Sequence, residues 1–370
     1  MRRILGNIAL ALGIFILMLF LAEGAWRLFI AKGDLGREFD PVLGRINPRN
    51  AEWTIRTPEF KTVMRTNADG FRGPTLDAGQ RLPGEIRILF IGDSFVEAKQ
   101  VPEEGRFPER TETLLEGKLG LPVTVRALGM GGAEPARELL FYRHLGRSFD
   151  PDIVVQVLFP ENDLLSMTGA YRFYNNAGTL TLEDVWVNPP SPCSWKCALL
   201  NRSELAVQAY RLLRSLRETP SADPLRGDFG MYTERGQKKW EHERRFDATA
   251  VLVDVLRTDV ESDGGTFLAL LMPGAFEIHA PWREEIQKRY AETKLQEWKP
   301  SELMDRFEQA LRIRNIEFLD LRPLFLSYAE NHPDAFLYYP LDPHLKPEGH
   351  AITAAAAADR LSLLLAPLRQ

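Results

Sequence analysis

The sequence predicts an α/β protein with a central parallel, doubly wound sheet, preceded by one N-terminal transmembrane helix. After residue 85, short apolar strand candidates alternate with longer segments of helical periodicity. Such alternation requires right-handed crossovers, which give a parallel sheet with helices on both faces. Reactive groups of a sheet of this kind gather beyond the carboxyl ends of its strands.

The N-terminus carries an apolar run that is long enough to cross a membrane. Arg2 and Arg3 precede residues 4–22, in which Asn7 is the only strongly polar residue. As a helix this run covers roughly 28 Å, close to the hydrocarbon thickness of a bilayer. Trp26 follows at the position of an interfacial anchor.

We expect residues 1–30 to be an uncleaved single-pass anchor with its N-terminus in the cytoplasm. A cleaved signal peptide is the alternative, because Ala22 and Gly24 are small enough for a processing site.

The only cysteines, Cys193 and Cys197, lie in a Pro-rich loop that suits a local disulfide in an oxidising compartment, with two unrelated thiols as the alternative. Together these features favour an extracytoplasmic body at a bacterial inner membrane, facing the periplasm.

The body of the chain divides into an extension and a larger domain. Residues 31–84 form an N-terminal extension that we expect to pack on the core, and residues 85–370 form the main domain, with a long insertion at about 164–236. The strand candidates are Ile86–Ile91, Val123–Ala127, Ile153–Phe159, Phe267–Leu271 and Glu317–Leu319. The helix candidates are Pro108–Lys118, Glu134–Leu145, Lys238–Val260, Glu302–Ile313 and Gly349–Leu365.

Composition and motifs exclude several classes of function. Hydrophobic residues make up 45% of the chain and the formal net charge is -5, which indicates neither a disordered tail nor a nucleic-acid partner. The glycine turn at residues 127–134 lacks the Gly-x-Gly-x-x-Gly spacing, and no Walker-type lysine is present, so nucleotide binding is a weak alternative. No metal or organic cofactor is called for. A zinc site in particular would need more ligands than the cysteine loop offers.

Ser94 follows the first strand candidate directly, after Gly92 and Asp93. This places a hydroxyl at the sheet rim, and Gly92 permits the tight bend. A lone Gly-Asp-Ser is equally typical of a helix-capping serine. The functional interpretation is a nucleophile for an acyl carbonyl, with Asp93 in a structural hydrogen-bonding role.

Gly132 and Asn162 follow the second and third strands. With the amide of Ser94, the Gly132 amide and the neutral Asn162 side chain can stabilise an oxyanion. Alone, the first is also consistent with a plain strand-to-helix turn and the second with an Asn-Asp helix cap.

Asp342 and His344 supply an acid and an imidazole in a loop near the C-terminus. We expect His344 to be the general base and Asp342 to fix its tautomer. His350 lies at a helix start and is expected to be structural, and His279 is a lesser rim candidate.

These motifs together resemble the SGNH hydrolases, the GDSL-type esterases and lipases. The Gly-Phe-Arg-Gly stretch at 70–73, the Gly-Asp-Ser-Phe block at 92–95 and the spacing to the later residues carry the likeness. The resemblance implies a flavodoxin-like three-layer α/β/α sandwich, with the family's Ser, Gly, Asn and His at the four positions named above. Departures are Ala127 for the usual Asn, Glu161 for the usual Gly, and an Asp two rather than three residues before the His, where Leu341 stands.

The expected function is serine-dependent ester hydrolysis or O-acyl transfer outside the cytoplasm. The membrane anchor and the resemblance suggest O-acetyl groups of a polysaccharide as the substrate. Lipid or thioester hydrolysis is the alternative within the same chemistry. A catalytically inactive glycan-binding or assembly protein is the alternative from another class.

Overall fold

The computed structural model describes most of the chain outside the insertion. It covers residues 2–29, 37–76, 79–164, 171–176, 179–187, 203, 206, 209, 213, 232–242, 244–289 and 299–366. Cys193 and Cys197, for which the sequence suggests a disulfide, lie outside the described residues.

The core is a five-stranded parallel sheet. Its strands, in chain order among the eleven described, are β5 (Ile86–Gly92), β6 (Val123–Gly129), β7 (Ile153–Leu158), β10 (Thr266–Leu271) and β11 (Phe318–Asp320). They lie in the spatial order β11-β10-β7-β5-β6, and each pairs in parallel with its neighbours. This is the flavodoxin-like order: β6 is added on one side of β5, and the chain then crosses to the other side of β5 to add β7, β10 and β11. The five strands expected from the sequence are therefore confirmed.

The remaining strands form three antiparallel hairpins outside this sheet. They are β1 (Glu38–Asp40) with β2 (Gly44–Ile46), β3 (Glu52–Arg56) with β4 (Lys61–Arg65), and β8 (Tyr171–Asn176) with β9 (Thr179–Val185).

Helices cover both faces of the sheet. The helices, numbered in chain order, are α1 (Arg2–Phe29), α2 (Ser94–Glu97), α3 (Phe107–Leu119), α4 (Pro135–His144), α5 (Pro160–Asp163), α6 (Glu234–His242), α7 (Arg245–Ser262), α8 (Ala275–Ile278), α9 (Ala280–Arg289), α10 (Pro300–Ile313), α11 (Arg322–Asn331) and α12 (Pro347–Leu365). One apolar cluster joins the sheet to α4, α7 and α10, and a second joins it to α3 and α12. The two clusters lie on opposite faces, which confirms the three-layer α/β/α sandwich.

The predicted helix over Lys238–Val260 is two helices in the structure. Arg244 stands between α6 and α7 with a φ of 55°, which ends one helix before the next begins. No Gly or Pro marks this break in the sequence. The other four helix predictions agree with α3, α4, α10 and α12 to within two residues at each end.

α1 is the predicted membrane segment. Its stretch Gly6–Ala25 has a mean hydropathy of 2.4 and is not buried by any other part of the described chain. By length and composition the helix can cross a membrane, and a signal sequence meets the same criteria.

The N-terminal extension packs on the core through buried apolar side chains and one buried guanidinium. Leu43, Ile46 and Phe71 belong to the cluster on the α4 side of the sheet. Arg72 is 1% exposed and donates to the backbone oxygens of Glu97, Ala98 and Val101.

Buried carboxyl groups lie between α4, β7 and α5. Glu138 accepts a 2.7 Å hydrogen bond from Gln156 Nε2, and Asp163 accepts one of 2.7 Å from Phe159 N. Among the described residues, Glu138 Oε1, Asp163 Oδ1 and Gln156 Oε1 have no hydrogen-bond donor. Burial raises the pKa of Glu138 to about 8, and burial together with Glu138 and Asp93 raises the pKa of Asp163 well above its usual value. The raised pKa of Glu138 therefore favours its protonated form at neutral pH.

The first prediction concerns Gly129, where α2 lies directly on the end of β6. A Cβ there would be 2.3 Å from Glu97 N, so α2 must move. We expect Gly129→Ala to lower the free energy of unfolding by about 1–3 kcal/mol. Urea unfolding of the full-length chain in detergent measures this effect.

Gly117→Ala is the matched control, because a Cβ at this exposed position of α3 meets nothing within 4 Å. It should stabilise the protein by about 0.5–1 kcal/mol. Equal stability of both variants would contradict the close contact at Gly129.

The second prediction concerns the pH dependence of stability through Glu138. Because its pKa is raised in the folded state, the unfolded chain releases this proton first, and the associated stability is lost as pH rises from about 4.5 towards about 8. Glu138→Gln keeps an acceptor for Gln156 and does not titrate. The variant should therefore gain stability relative to the parent by up to about 1.4 kcal/mol per pH unit in this window. Parallel curves of unfolding free energy from pH 5 to 8 would rule out the buried proton.

Candidate active site

Ser94 lies at the turn from β5 into α2. Asp93 caps the helix, since its Oδ1 accepts a 2.9 Å hydrogen bond from Phe95 N. Gly92 is needed for close packing, because a Cβ there would lie 2.6 Å from Val96 Cγ2 and 3.0 Å from Val157 O. The turn leaves the Ser94 side chain half-buried at the carboxyl end of β5, which lies between β7 and β6.

The structure brings Ser94, His344 and Asp342 into one hydrogen-bonded chain. Ser94 Oγ lies 2.8 Å from His344 Nε2, across 250 positions of sequence. His344 Nδ1 is hydrogen-bonded to Asp342 Oδ1. The spacing of two residues between acid and imidazole, which departs from the SGNH pattern, therefore still permits the contact.

Asp342 is held as a carboxylate by its surroundings. Both of its oxygens accept from Gln100 Nε2, at 3.2 Å each. Burial opposes ionisation, but the hydrogen bond and charge of His344, the Gln100 amide and Lys99 together lower the pKa of Asp342 below its usual value. An ionised Asp342 fixes a proton on His344 Nδ1 and leaves Nε2 to accept the proton of the Ser94 hydroxyl.

The three candidate oxyanion donors, the amides of Ser94 and Gly132 and the side chain of Asn162, follow the carboxyl ends of β5, β6 and β7. Within the described chain, the amides of Ser94 and Gly132 donate to no protein acceptor. Asn162 Nδ2 donates to Asp93 Oδ2 at 3.0 Å and to Ala133 O at 3.3 Å, so an oxyanion would have to replace one of these two acceptors, of which Ala133 O is the more distant. Gly132 has a φ of 73°, a conformation that favours glycine, and no protein atom lies within 4 Å of where its Cβ would be.

Asp93 is buried beneath the turn in the hydrogen-bonding role that the sequence suggested. It is 1% exposed, and burial raises its pKa although Phe95 N, His344 and Asn162 favour the charged form. Its two oxygens join the cap of α2 to the Asn162 amide. The Asp93 side chain thus connects the turn of Ser94, the candidate nucleophile, to Asn162, a candidate oxyanion donor.

Two buried charged residues near the site were not predicted from the sequence as site residues. Glu97 accepts from Asn47 Nδ2 at 2.7 Å and from Gly131 N at 3.2 Å, so it joins α2 to the extension and to the glycine turn. Arg72 binds the backbone at the end of α2. The Gly-Phe-Arg-Gly stretch was the only sequence signal for either residue.

The other candidate histidines are packed in the core. His350 is 1% exposed, stacks on Phe107 at 5.7 Å, and has its pKa lowered to about 3 by burial and nearby arginines. His279 accepts from Leu337 N at 3.1 Å, and burial lowers its pKa to about 4. Neither ring is within the hydrogen-bonded chain of Ser94.

Glu161, which replaces the usual Gly, packs against Gly274. A Cβ on Gly274 would lie 1.6 Å from Glu161 Oε1, so the two positions depend on each other. Burial and the neighbouring Glu161 raise the pKa of Tyr232 well above its usual value.

The described residues contain no group of three or more His, Cys, Asp or Glu side chains placed to hold a metal.

Comparisons with known proteins give matches among solved structures. No family model and no curated protein matches the chain. It is similar to an acetyl xylan esterase, AlAXEase, with 15% identity, a TM-score of 0.40 and coverage of 74% of this chain and 99% of that one. It is similar to a GDSL-like lipase from Bacteroides thetaiotaomicron, with 15% identity, a TM-score of 0.38 and coverage of 78% and 93%. It is also similar to an acetylxylan esterase from Geobacillus stearothermophilus, with 12% identity, a TM-score of 0.38 and coverage of 77% and 95%.

At these identities and TM-scores, the matches do not define the chemistry of this chain.

Proposed function

We propose that this chain is a serine-dependent carboxylic ester hydrolase of the SGNH type. The observation that supports it most is the hydrogen-bonded chain from Ser94 through His344 to Asp342 at the carboxyl end of β5. A half-buried hydroxyl 2.8 Å from an imidazole nitrogen is arranged for nucleophilic attack.

In the acylation step, Ser94 Oγ attacks the ester carbonyl and its proton passes to His344 Nε2. The carbonyl oxygen becomes an oxyanion, which accepts hydrogen bonds from the amides of Ser94 and Gly132 and from the Asn162 side chain. The imidazolium, stabilised by Asp342, then gives the proton to the leaving alkoxide, and the C–O bond of the ester breaks. The products are an acyl-serine and a free alcohol.

Deacylation repeats these steps with a new nucleophile. A water molecule gives hydrolysis, and a sugar hydroxyl gives O-acyl transfer. In both cases His344 removes the proton of the attacking hydroxyl and returns it to Ser94 Oγ when the acyl bond breaks. Both outcomes proceed through the same acyl-serine, so both are part of the proposal.

The proposed substrate is an O-acetyl group on a polysaccharide outside the cytoplasm. The apolar helix α1 supports attachment to a membrane, and the cysteines of the insertion suit an oxidising compartment. A single-pass protein at a bacterial inner membrane would then present residues 85–370, with the preceding extension, to the periplasm. Lipid and thioester substrates are the competing outcomes of the test below.

The third prediction tests the reaction itself. The purified full-length chain in detergent should release acetate from p-nitrophenyl acetate and from an O-acetylated polysaccharide, and a fluorophosphonate probe should label it. Ser94→Ala should abolish labelling and lower the rate by about 10³-fold or more, because the nucleophile is lost.

Circular dichroism should confirm that the variant is folded. A folded parent that is neither labelled nor active would support a glycan-binding protein instead. Faster turnover of long-chain esters or thioesters than of acetyl esters would move the substrate class away from glycans.

The fourth prediction concerns Asp342, whose carboxylate orients the imidazole. We expect Asp342→Asn to lower kcat by about 10²- to 10⁴-fold with a folded protein, because the amide favours the wrong tautomer of His344. Asp334→Asn, an exposed acid before the same loop, is the control and should leave kcat unchanged. An equal kcat for both variants would remove Asp342 from the proposed mechanism.

A further inference from the structure

The loop that carries Asp342 and His344 makes few backbone hydrogen bonds to the rest of the described chain. It runs from residue 339 to 344, between the two residues of an isolated bridge, Tyr338 and Leu345. Pro340 and Pro343 have no N–H, so the loop offers four backbone donors. Two are used inside it, by Tyr339 N to His344 O at 3.0 Å and by His344 N to Asp342 O at 2.6 Å.

Glu59 of the N-terminal extension accepts the other two donors. Its Oε1 lies 2.9 Å from Leu341 N and its Oε2 lies 2.9 Å from Asp342 N. The Leu341 side chain is 74% exposed and therefore adds little packing of its own. The Glu59 carboxylate therefore accepts both backbone hydrogen bonds that the loop donates to residues outside it.

The turn that presents Glu59 is itself well defined. Thr57 Oγ1 accepts from Glu59 N at 3.2 Å and from Phe60 N at 3.0 Å, and Thr57 N donates to Phe60 O at 2.9 Å. The Phe60 ring packs 5.3 Å from the ring of Tyr339, the first residue of the loop. Glu59 thus approaches the loop from a fixed turn between β3 and β4.

The same hairpin also contacts the side of the site that carries the nucleophile. Thr62 Oγ1 donates to Lys99 O at 2.6 Å, one residue before Gln100, which binds the Asp342 carboxylate. The hairpin therefore connects the segment after α2 to the loop of Asp342 and His344, which Gln100 also joins through its side chain.

We propose that Glu59 is a positioning residue for the reaction, and that the β3–β4 hairpin of the extension is part of the catalytic unit. This inference rests on the proposed function. Glu59 touches no reacting atom. Its carboxylate fixes the backbone at residues 341 and 342, which sets the distance from Asp342 to His344 and so from His344 to Ser94.

The fifth prediction compares Glu59→Gln and Glu59→Asp with the parent, using p-nitrophenyl acetate and the full-length chain. Glu59→Gln keeps the length of the side chain but offers one acceptor for two donors. We expect it to lower kcat by about 10- to 100-fold with KM within about twofold, since small misplacements of reacting groups cost rates of this size. Glu59→Asp keeps both acceptors and should recover part of kcat.

Hydrogen exchange adds a readout that does not depend on activity. Peptides covering residues 339–346 should exchange faster in Glu59→Gln, while peptides covering β5 should not change. Glu52→Gln is the matched control, because Glu52 lies on the same hairpin and forms an exposed ion pair with Arg65. Its kcat and exchange should equal those of the parent.

The possible failures can be told apart. An inactive parent refutes the proposed function, and with it a role for Glu59 in the reaction. An active parent with an unchanged kcat in Glu59→Gln refutes the positioning role alone. A change in KM without a change in kcat also refutes it, because the loop would then affect only binding.

Discussion

The close contact between α2 and the end of β6 fixes the position of the proposed nucleophile. Gly129 leaves no room for a Cβ against the backbone of Glu97, so the short helix lies directly on the neighbouring strand. From the other side, Arg72 binds the carbonyl groups at its end. A helix of four residues has little stability of its own, and these tertiary contacts replace the intrahelical bonds that it lacks.

The rest of the proposed site is arranged around this helix. Asp93 joins the helix cap to the Asn162 amide, and Glu97 joins the helix to the Gly131 amide. The histidine arrives from a loop 250 positions later, and it reaches Ser94 because Gln100 and the hairpin of the extension hold that loop. The extension therefore contacts both the nucleophile helix and the histidine loop.

Much of the fold and the main site residues could be predicted from the sequence because the signals are local. Buried strands appear as apolar runs, and Ser94, Gly132 and Asn162 stand directly after such runs. The roles of Arg72, Glu97 and Glu59 could not be predicted, because a charged residue is normally exposed and their partners lie far away in sequence. The break at Arg244 was missed for a related reason: the residues around it suit a helix, and only the tertiary structure requires the chain to turn.

Three buried acids near Asn162, which are Asp93, Asp163 and Glu138, affect how well an oxyanion could be stabilised there. A transient oxyanion held by Asn162 would lie close to Asp93, with Asp163 and Glu138 behind it. Three carboxylates there would oppose the developing charge in a medium of low dielectric. Burial raises the pKa of all three groups, to about 8 for Glu138. The burial of this cluster thus favours the neutral carboxyl forms, which lessens their repulsion of an oxyanion at the Asn162 amide.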